Sequence, residues 1–185
     1  MHSFVLFQSF LQRAAALFVE RGFFQIWPKL LQPAGAMEPY LDAFSIPFHK
    51  KKLFLSTSPE FFLKKIYPEV QEFFHKKDHS FYGIFSLGSA FRNEKLSESH
   101  IPEFTMLEWY HPNSSAIKET KFFLEIIAEL IDHLKQEGAL NCQLEKNIHT
   151  PMLLSVEELF QKEGLKLTAE ISVAELKKYC HKLGM

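Results

Sequence analysis

Phe91-Arg92-Asn93-Glu94, a polar stretch from Lys95 to Ser99, and then His100-Ile101-Pro102-Glu103-Phe104-Thr105-Met106-Leu107-Glu108-Trp109-Tyr110 form the most informative segment of the chain. Residues Phe81–Arg92 and Phe104–Tyr110 are β-like in composition, and the polar Asn93–Glu103 between them predicts two antiparallel strands joined by a long loop. Side chains alternate across a strand, so Phe104, Met106, Glu108 and Tyr110 share one face, and Glu103, Thr105 and Leu107 share the other. One face therefore carries an aromatic ring, a carboxylate and a phenol. A carboxylate on a core-facing strand needs a cationic partner or water, because burying it unpaired is costly. Arg92 on the preceding strand is one candidate, in a structural ion pair; a ligand-binding face is the other reading.

Upstream, Ser58-Pro59-Glu60 reads as a helix start, with a capping hydroxyl, a first-turn proline and an acid that suits the helix dipole. That helix is expected to end near Tyr67, since Pro68 lacks the donor a continuing helix uses. Strands are expected at Ala43–His49 and Leu53–Ser56 around a solvated Lys50–Lys52 turn, with a loop before them from Gln32 to Pro39. Phe4, Phe7, Leu11, Ala14, Ala15 and Phe18 recur at helical spacing, so residues 3–20 predict an amphipathic helix closed by Gly22. Phe23–Trp27 then reads as a short strand stopped by Pro28.

Downstream, Ala116–Gln136 carries Phe123, Ile127, Leu130, Ile131 and Leu134 on one helical stripe. Two short helices follow, each opened by a capping box, Ser155 with Glu158 and Ser172 with Glu175. The 185 residues suit one domain, and 46% hydrophobic content with 20 phenylalanines supplies a packed aromatic interior. A formal net charge of -1 gives no global attraction to nucleic acid. Cys142 and Cys180 lie outside any CxxC pattern, and His75 and His79 lack further ligands, so no metal site is expected. The first apolar run, Phe4–Phe7, is too short for a signal or a membrane span, and a cytoplasmic protein is expected.

The segment from Phe91 to Tyr110 resembles motif 2 of the class II aminoacyl-tRNA synthetases, in the aspartyl, asparaginyl and lysyl subgroup. Its wording is most similar to the lysyl branch, including the short elongation factor P lysine ligase paralogues. Leu55-Ser56-Thr57-Ser58-Pro59-Glu60 followed by Lys64, and Glu38-Pro39-Tyr40-Leu41-Asp42-Ala43-Phe44, resemble two further segments of that branch in order and spacing. The opening helix and the strand ending at Pro28 resemble motif 1. The implied fold is α+β, an antiparallel sheet flanked by helices, with motif 1 at about residues 3–28 and motif 2 at about 84–110.

The resemblance implies that ATP and an amino acid meet here, the substrate carboxylate attacking the α-phosphate to give an aminoacyl-adenylate. It gives Arg92 the α-phosphate and carboxylate, Glu94 the adenine amino group, Phe104 the stacked base and His100 the outer phosphates. Glu60 and Glu108 would bind the amino groups of lysine or a lysine-like amino acid, with Tyr110 along its aliphatic stem. Two acids facing a dication make electrostatic sense; facing a neutral side chain they would not. Mg²⁺ is implied as well, though its ligands are not identifiable in this chain. A homodimer through motif 1, and elongation factor P as acceptor in preference to tRNA, complete the implied partners.

Several positions depart from the pattern. Ile101 stands where asparagine is usual, Lys95–Ser99 has no arginine, and Gln25 and Trp27 stand where acids are usual. Pro68–His79 reads as an insertion. Nothing between Asn141 and Met185 resembles motif 3, and no anticodon-binding domain is expected before the helix. Residues 1–185 are thus expected to be a partial adenylation domain. The alternative to an active ligase is a truncated, inactive paralogue that dimerises or binds ligand.

Overall fold

The computed structural model describes residues 2–35, 41–77, 81–95, 97, 100–139, 154–162, 164, 168 and 171–182. They fall into two units, Met1–Asn141 and Cys142–Met185. In the first, helix α1 (His2–Glu20) leads into β1 (Phe23–Gln25) and β2 (Leu31–Gln32). A hairpin of β3 (Ser45–Phe48) and β4 (Lys51–Leu55) follows, then α2 (Glu60–Lys76), β5 (Gly83–Phe91), β6 (Glu103–Tyr110) and α3 (Ala116–Gln136).

Strands β1, β5 and β6 form one sheet in that order, with β1 parallel and β6 antiparallel to β5. Strands β2, β4 and β3 form a second, antiparallel sheet. The two are tied where Phe91 N donates to Ser56 O at 2.9 Å. The α+β architecture expected from the sequence is the one observed, with the central antiparallel pair in the expected place.

Register decides which side chains meet. Ser86 lies opposite Glu108, Gly88 opposite Met106 and Ala90 opposite Phe104, so these six share a face. The other face, with Phe85 opposite Trp109 and Leu87 opposite Leu107, packs against α1 and α3. There Leu17, Phe18, Phe85 and Ile126 are fully buried, and the Phe18 ring stacks on Phe85 at 4.9 Å and meets Phe122 edge-on at 5.4 Å. Each such side chain contributes roughly 1.5–3 kcal/mol of burial free energy. On the opposite side Ile84 packs with Ile26 and Leu63, which anchors α2 against β5, the strand paired with the one that bears Glu108.

Two glycines beside the β1–β5–β6 sheet are required by the backbone. Gly22 ends α1 at φ +80°, a left-handed conformation that favours glycine. Gly83 starts β5 where a Cβ would lie 2.2 Å from the Tyr110 carbonyl oxygen and 2.7 Å from the Phe23 ring.

Helix α2 corrects the expectation that it ends near Tyr67: it runs on through Pro68 to Lys76. Proline removes one backbone bond, but Pro68 and Lys64, whose carbonyl loses it, are both exposed, so water can serve that carbonyl. The apolar stripe of Phe62, Leu63, Ile66, Tyr67 and Val70 continues past the proline against Ile84 and Phe81. Packing outweighs the missing bond. The lysine turn is also shorter than expected, His49–Lys50, with Lys51 and Lys52 already in β4.

The second unit contains α4 (Val156–Lys162) and α5 (Val173–Lys182). Both expected capping boxes form: Glu158 accepts from Ser155 N at 2.7 Å and Ser155 Oγ from Glu158 N at 3.1 Å, while Ser172 and Glu175 repeat the exchange at 2.9 and 3.2 Å. Glu38, Pro39 and Tyr40 of the loop before β3, His79, Cys142 and the rest of residues 141–153 lie outside the described residues. Among the described residues no helix is long and apolar enough to cross a membrane, and no three metal-ligating side chains cluster.

Candidate functional site

The β5–β6 face away from α1 and α3 positions the candidate residues. Arg92 follows the last residue of β5, and its backbone N–H donates to the Pro102 carbonyl at 3.0 Å, closing the mouth of the long loop. Phe104 is the second residue of β6. The Arg92 guanidinium lies over its ring, 5.2 Å from the centroid, in a cation–π contact. Arg92 Nε is buried without a hydrogen-bond partner among the described residues, so a donor of the rigid fork remains for an anion. Asn93 anchors the segment, its N–H donating to Asp42 O and its side-chain amide to Asp42 Oδ2, both at 2.8 Å.

Glu94 and His100 come together on an open depression of about 590 Å³ that Lys95 and Ser97 also line. Ser97 Oγ and His100 Nδ1 are 2.8 Å apart, which fixes the histidine ring at the end of the loop.

At the other end of the strand stands Glu108. Its Oε1 accepts from the Tyr110 hydroxyl at 2.8 Å and its Oε2 from Ser58 Oγ at 3.1 Å. Ser58 Oγ also accepts from the Glu60 N–H at 3.0 Å. One hydroxyl thus joins the backbone at the start of α2 to the Glu108 carboxylate of β6. Glu60 takes the Lys64 ammonium one turn on. Burial and the hydrogen bond to Glu108, with that carboxylate and Glu60 adding their charge, push the Tyr110 phenol well above its ordinary value. The phenol stays a donor at neutral pH.

A cavity of about 180 Å³ lies over the centre of this face, lined by Trp27, Pro28, Ser86, Gly88 and Met106 among others. A Cβ on Gly88 would meet nothing within 4 Å, so the space above that strand position is open. The face therefore holds a cationic fork and an aromatic ring at one end, an open middle, and paired acids at the other.

The ion pair between Arg92 and Glu108 does not form. Arg92 stacks on Phe104, four residues from Glu108, and at roughly 3.4 Å per residue the two lie on the order of 13 Å apart along β6. Glu108 instead finds neutral donors in Ser58 and Tyr110. Sequence reasoning gave Ser58 only a capping role and missed its bridge to Glu108. It also passed over Tyr67, His111 and Glu119. Glu119 lies on α3, where its spacing to Trp109 and His111 carries no signal until the helix folds back.

The fold is that of a class II aminoacyl-tRNA synthetase catalytic domain: asparaginyl-tRNA synthetase from Pyrococcus horikoshii, solved with asparaginyl-adenylate, superposes with a TM-score of 0.67 at 20% identity over 92% of this chain and 39% of that one. The chain belongs to the family described as tRNA synthetases class II (D, K and N), which matches residues 1–180. Within it the chain falls in the lysyl branch. It is 39% identical over 101 residues to an elongation factor P–(R)-β-lysine ligase of Avibacterium paragallinarum, covering 51% of this chain and 28% of that protein. The same type of ligase from Haemophilus influenzae (strain PittGG) is 32% identical over 131 residues, 68% of this chain and 35% of the relative. The chain thus spans about a third of the length of these curated relatives.

Proposed function

We propose that this chain binds ATP and a lysine-like amino acid across the β5–β6 face and supplies that half of an adenylate-forming site. The observation that carries the reading is the Ser58 bridge, which ties the α2 start at Glu60 to the Glu108 carboxylate at one end of the face that bears Arg92 over Phe104 at the other. Two carboxylates with one internal lysine between them suit a ligand with two ammonium groups. The roughly 13 Å between the acids and the guanidinium leaves room for the stem and carboxylate of such an amino acid.

In the reaction, a carboxylate oxygen attacks the α-phosphorus of ATP, the new O–P bond forms as the bond to the β-phosphate oxygen breaks, and pyrophosphate leaves. The contribution of these residues is placement and charge. Arg92 holds the carboxylate and α-phosphate together, Phe104 stacks the adenine, Glu94 reads its amino group and His100 meets the outer phosphates. Mg²⁺ would screen the phosphate charge. The similarity to elongation factor P–(R)-β-lysine ligases supports (R)-β-lysine or lysine as the amino acid and elongation factor P as the acceptor. The exposed Phe4, Val5 and Phe7 of α1 support a homodimer through residues 3–28.

Calorimetric titration of the full chain with ATP and with lysine or (R)-β-lysine tests binding, and amino-acid-dependent pyrophosphate–ATP exchange tests turnover. The expected result is saturable binding of both ligands, with Arg92→Ala weakening ATP and Glu108→Gln weakening the amino acid. Heat of binding absent for both ligands overturns the reading. Binding without exchange assigns this chain the binding role and leaves the transfer step to other protein.

A further inference from the structure

The β3–β4 hairpin is an arm rooted beside Arg92. Asn93 donates from its N–H and its side-chain amide to Asp42, just before β3, and the Phe91 N–H donates to the Ser56 carbonyl, just after β4. The Leu55 N–H donates to Phe44 O at 2.9 Å and closes the root. From Leu55 out to Lys51 the arm extends four residues, roughly 14 Å at strand spacing.

The tip of the arm is basic. No Asp or Glu lies between Asp42 and Glu60, while Lys50, Lys51 and Lys52 are all exposed. Lys64, Lys76 and Lys135 each hold a carboxylate, but among the described residues the three tip lysines hold none. The turn that carries them is tight: Phe48 pairs with Lys51, so only His49 and Lys50 reverse the chain. His49 takes φ +53°, a left-handed conformation uncommon outside glycine, with its ring edge-on to Phe48 at 4.6 Å.

One face of the arm is apolar. Leu31, Ile46 and Phe48 lie opposite Leu55, Leu53 and Lys51, which alternate along β4, so all six share a face. Leu31, Ile46 and Phe48 keep 49%, 38% and 54% of their surface exposed. Exposed apolar groups bordered by cations without partners suit a protein surface with an apolar centre and an acidic rim. A nucleic acid would engage the lysines and stack on Phe48, but would gain little from Leu31 and Ile46. A second copy of this chain would set lysines against lysines across a two-fold axis. Pro47 supplies no donor to the edge of β3, which favours docking on the face over addition of a strand.

We propose that this arm is the docking surface for the protein that receives the activated amino acid, with Lys50–Lys52 meeting an acidic patch and Leu31, Ile46 and Phe48 meeting its apolar centre. The inference rests on the adenylate-forming reading: an acceptor has to come within reach of Arg92, and the arm is fastened there.

Elongation factor P is the probe. Its binding to the full chain is measured calorimetrically at low and high salt, with bulk tRNA as a second titrant. Saturable binding of elongation factor P that weakens with salt is expected. Lys50→Glu, Lys51→Glu and Lys52→Glu combined should weaken it about tenfold or more, because attraction at three positions becomes repulsion. Phe48→Ser should weaken it about fivefold, as the loss of an aromatic anchor does. Neither variant should change the affinity for ATP or the thermal melt, since these side chains are exposed. Equal binding of elongation factor P by wild type and the triple variant overturns the inference, as does a wild-type chain that binds ATP and lysine but not elongation factor P. Loss of tRNA binding in the triple variant with elongation factor P unaffected makes the arm a nucleic-acid contact and overturns it as well. So does a wild-type dimer that the triple variant converts to monomer in sedimentation, which assigns the face to a second copy. Failure of the wild type to bind ATP and amino acid, with elongation factor P still held through the lysines, overturns the adenylate-forming reading while the docking contact stands.

Discussion

The Tyr110 hydroxyl donates to Glu108 Oε1 at 2.8 Å from two positions further along the same strand. Residues i and i+2 share a face, so the pair is built by strand geometry alone and presents a phenol and a carboxylate to one cleft. Burial comes first, then the carboxylate, in raising the Tyr110 pKa above its unfolded value near 10. The sign follows: the folded chain holds this proton more tightly than the unfolded one. Stability from it is complete below about pH 10 and is lost as pH rises through the folded-state value. Alkaline melting curves of wild type and Tyr110→Phe are expected to converge above pH 10, and ultraviolet titration should show one tyrosinate fewer in the variant's late phase. An ordinary titration of Tyr110 would refute the assignment.

Glu119 behaves in the opposite sense. Burial raises its pKa and the surrounding donors lower it by more, so its folded value lies below the unfolded one. Its stabilisation is present above the unfolded value of about 4.3 and is lost as pH falls through the folded value. Glu119→Gln should cost on the order of 1–2 kcal/mol at pH 7, the scale of hydrogen bonds to a charged acceptor. Melting temperatures of the two proteins, compared from pH 7 down to pH 3, should draw together at the acid end. A constant gap would mean that packing, not charge, accounts for the loss.

Much of this was legible in the sequence, for physical reasons that differ by element. The 21 residues of α3 were delimited correctly because apolar residues recur at helical spacing along it, but the buried face is Phe122, Ile126 and Leu130, and Phe123 of the expected stripe is exposed. The face shared by Phe104, Glu108 and Tyr110 follows from alternation, which holds in any strand. What remained hidden depends on chain segments far apart. The Ser58 bridge to Glu108 spans 50 residues, and the Arg92–Phe104 stack, which displaces the expected ion pair, depends on where β5 ends against β6. Pro68 misled because its cost is local while the packing that overrides it is not.

Of the glycines in β5, Gly83 leaves a Cβ the least room. A methyl group there would lie 2.2 Å from Tyr110 O and under 3 Å from the Phe23 ring, which is itself packed against Phe18 and Phe122. Neither neighbour is a flexible chain end. Gly83→Ala should therefore destabilise the chain by about 1–3 kcal/mol or more, as over-packing does. Gly88→Ala, where a methyl meets nothing, should leave urea unfolding within about 1 kcal/mol of wild type. Equal effects at the two positions would contradict the β5–β6 register.

Arg92 separates charge from geometry. Its guanidinium stacks on Phe104, and its Nε is buried without a partner among the described residues, so the side chain is oriented before any ligand arrives. Lysine at this position keeps the charge but loses the planar fork that addresses two oxygens at once. Arg92→Lys should melt within about 2 kcal/mol of wild type, since a half-buried cation–π contact contributes about 0.5–2 kcal/mol. Its ATP affinity should fall by about tenfold or more, which corresponds to the loss of one charge-assisted hydrogen bond of roughly 1.5–3 kcal/mol. Calorimetric titration with ATP gives the affinity and a thermal melt gives the fold. If Arg92→Lys binds ATP as wild type does while Arg92→Ala does not, a point charge suffices and the fork has no bidentate role. If neither substitution changes ATP binding, the nucleotide lies elsewhere than beside Phe104.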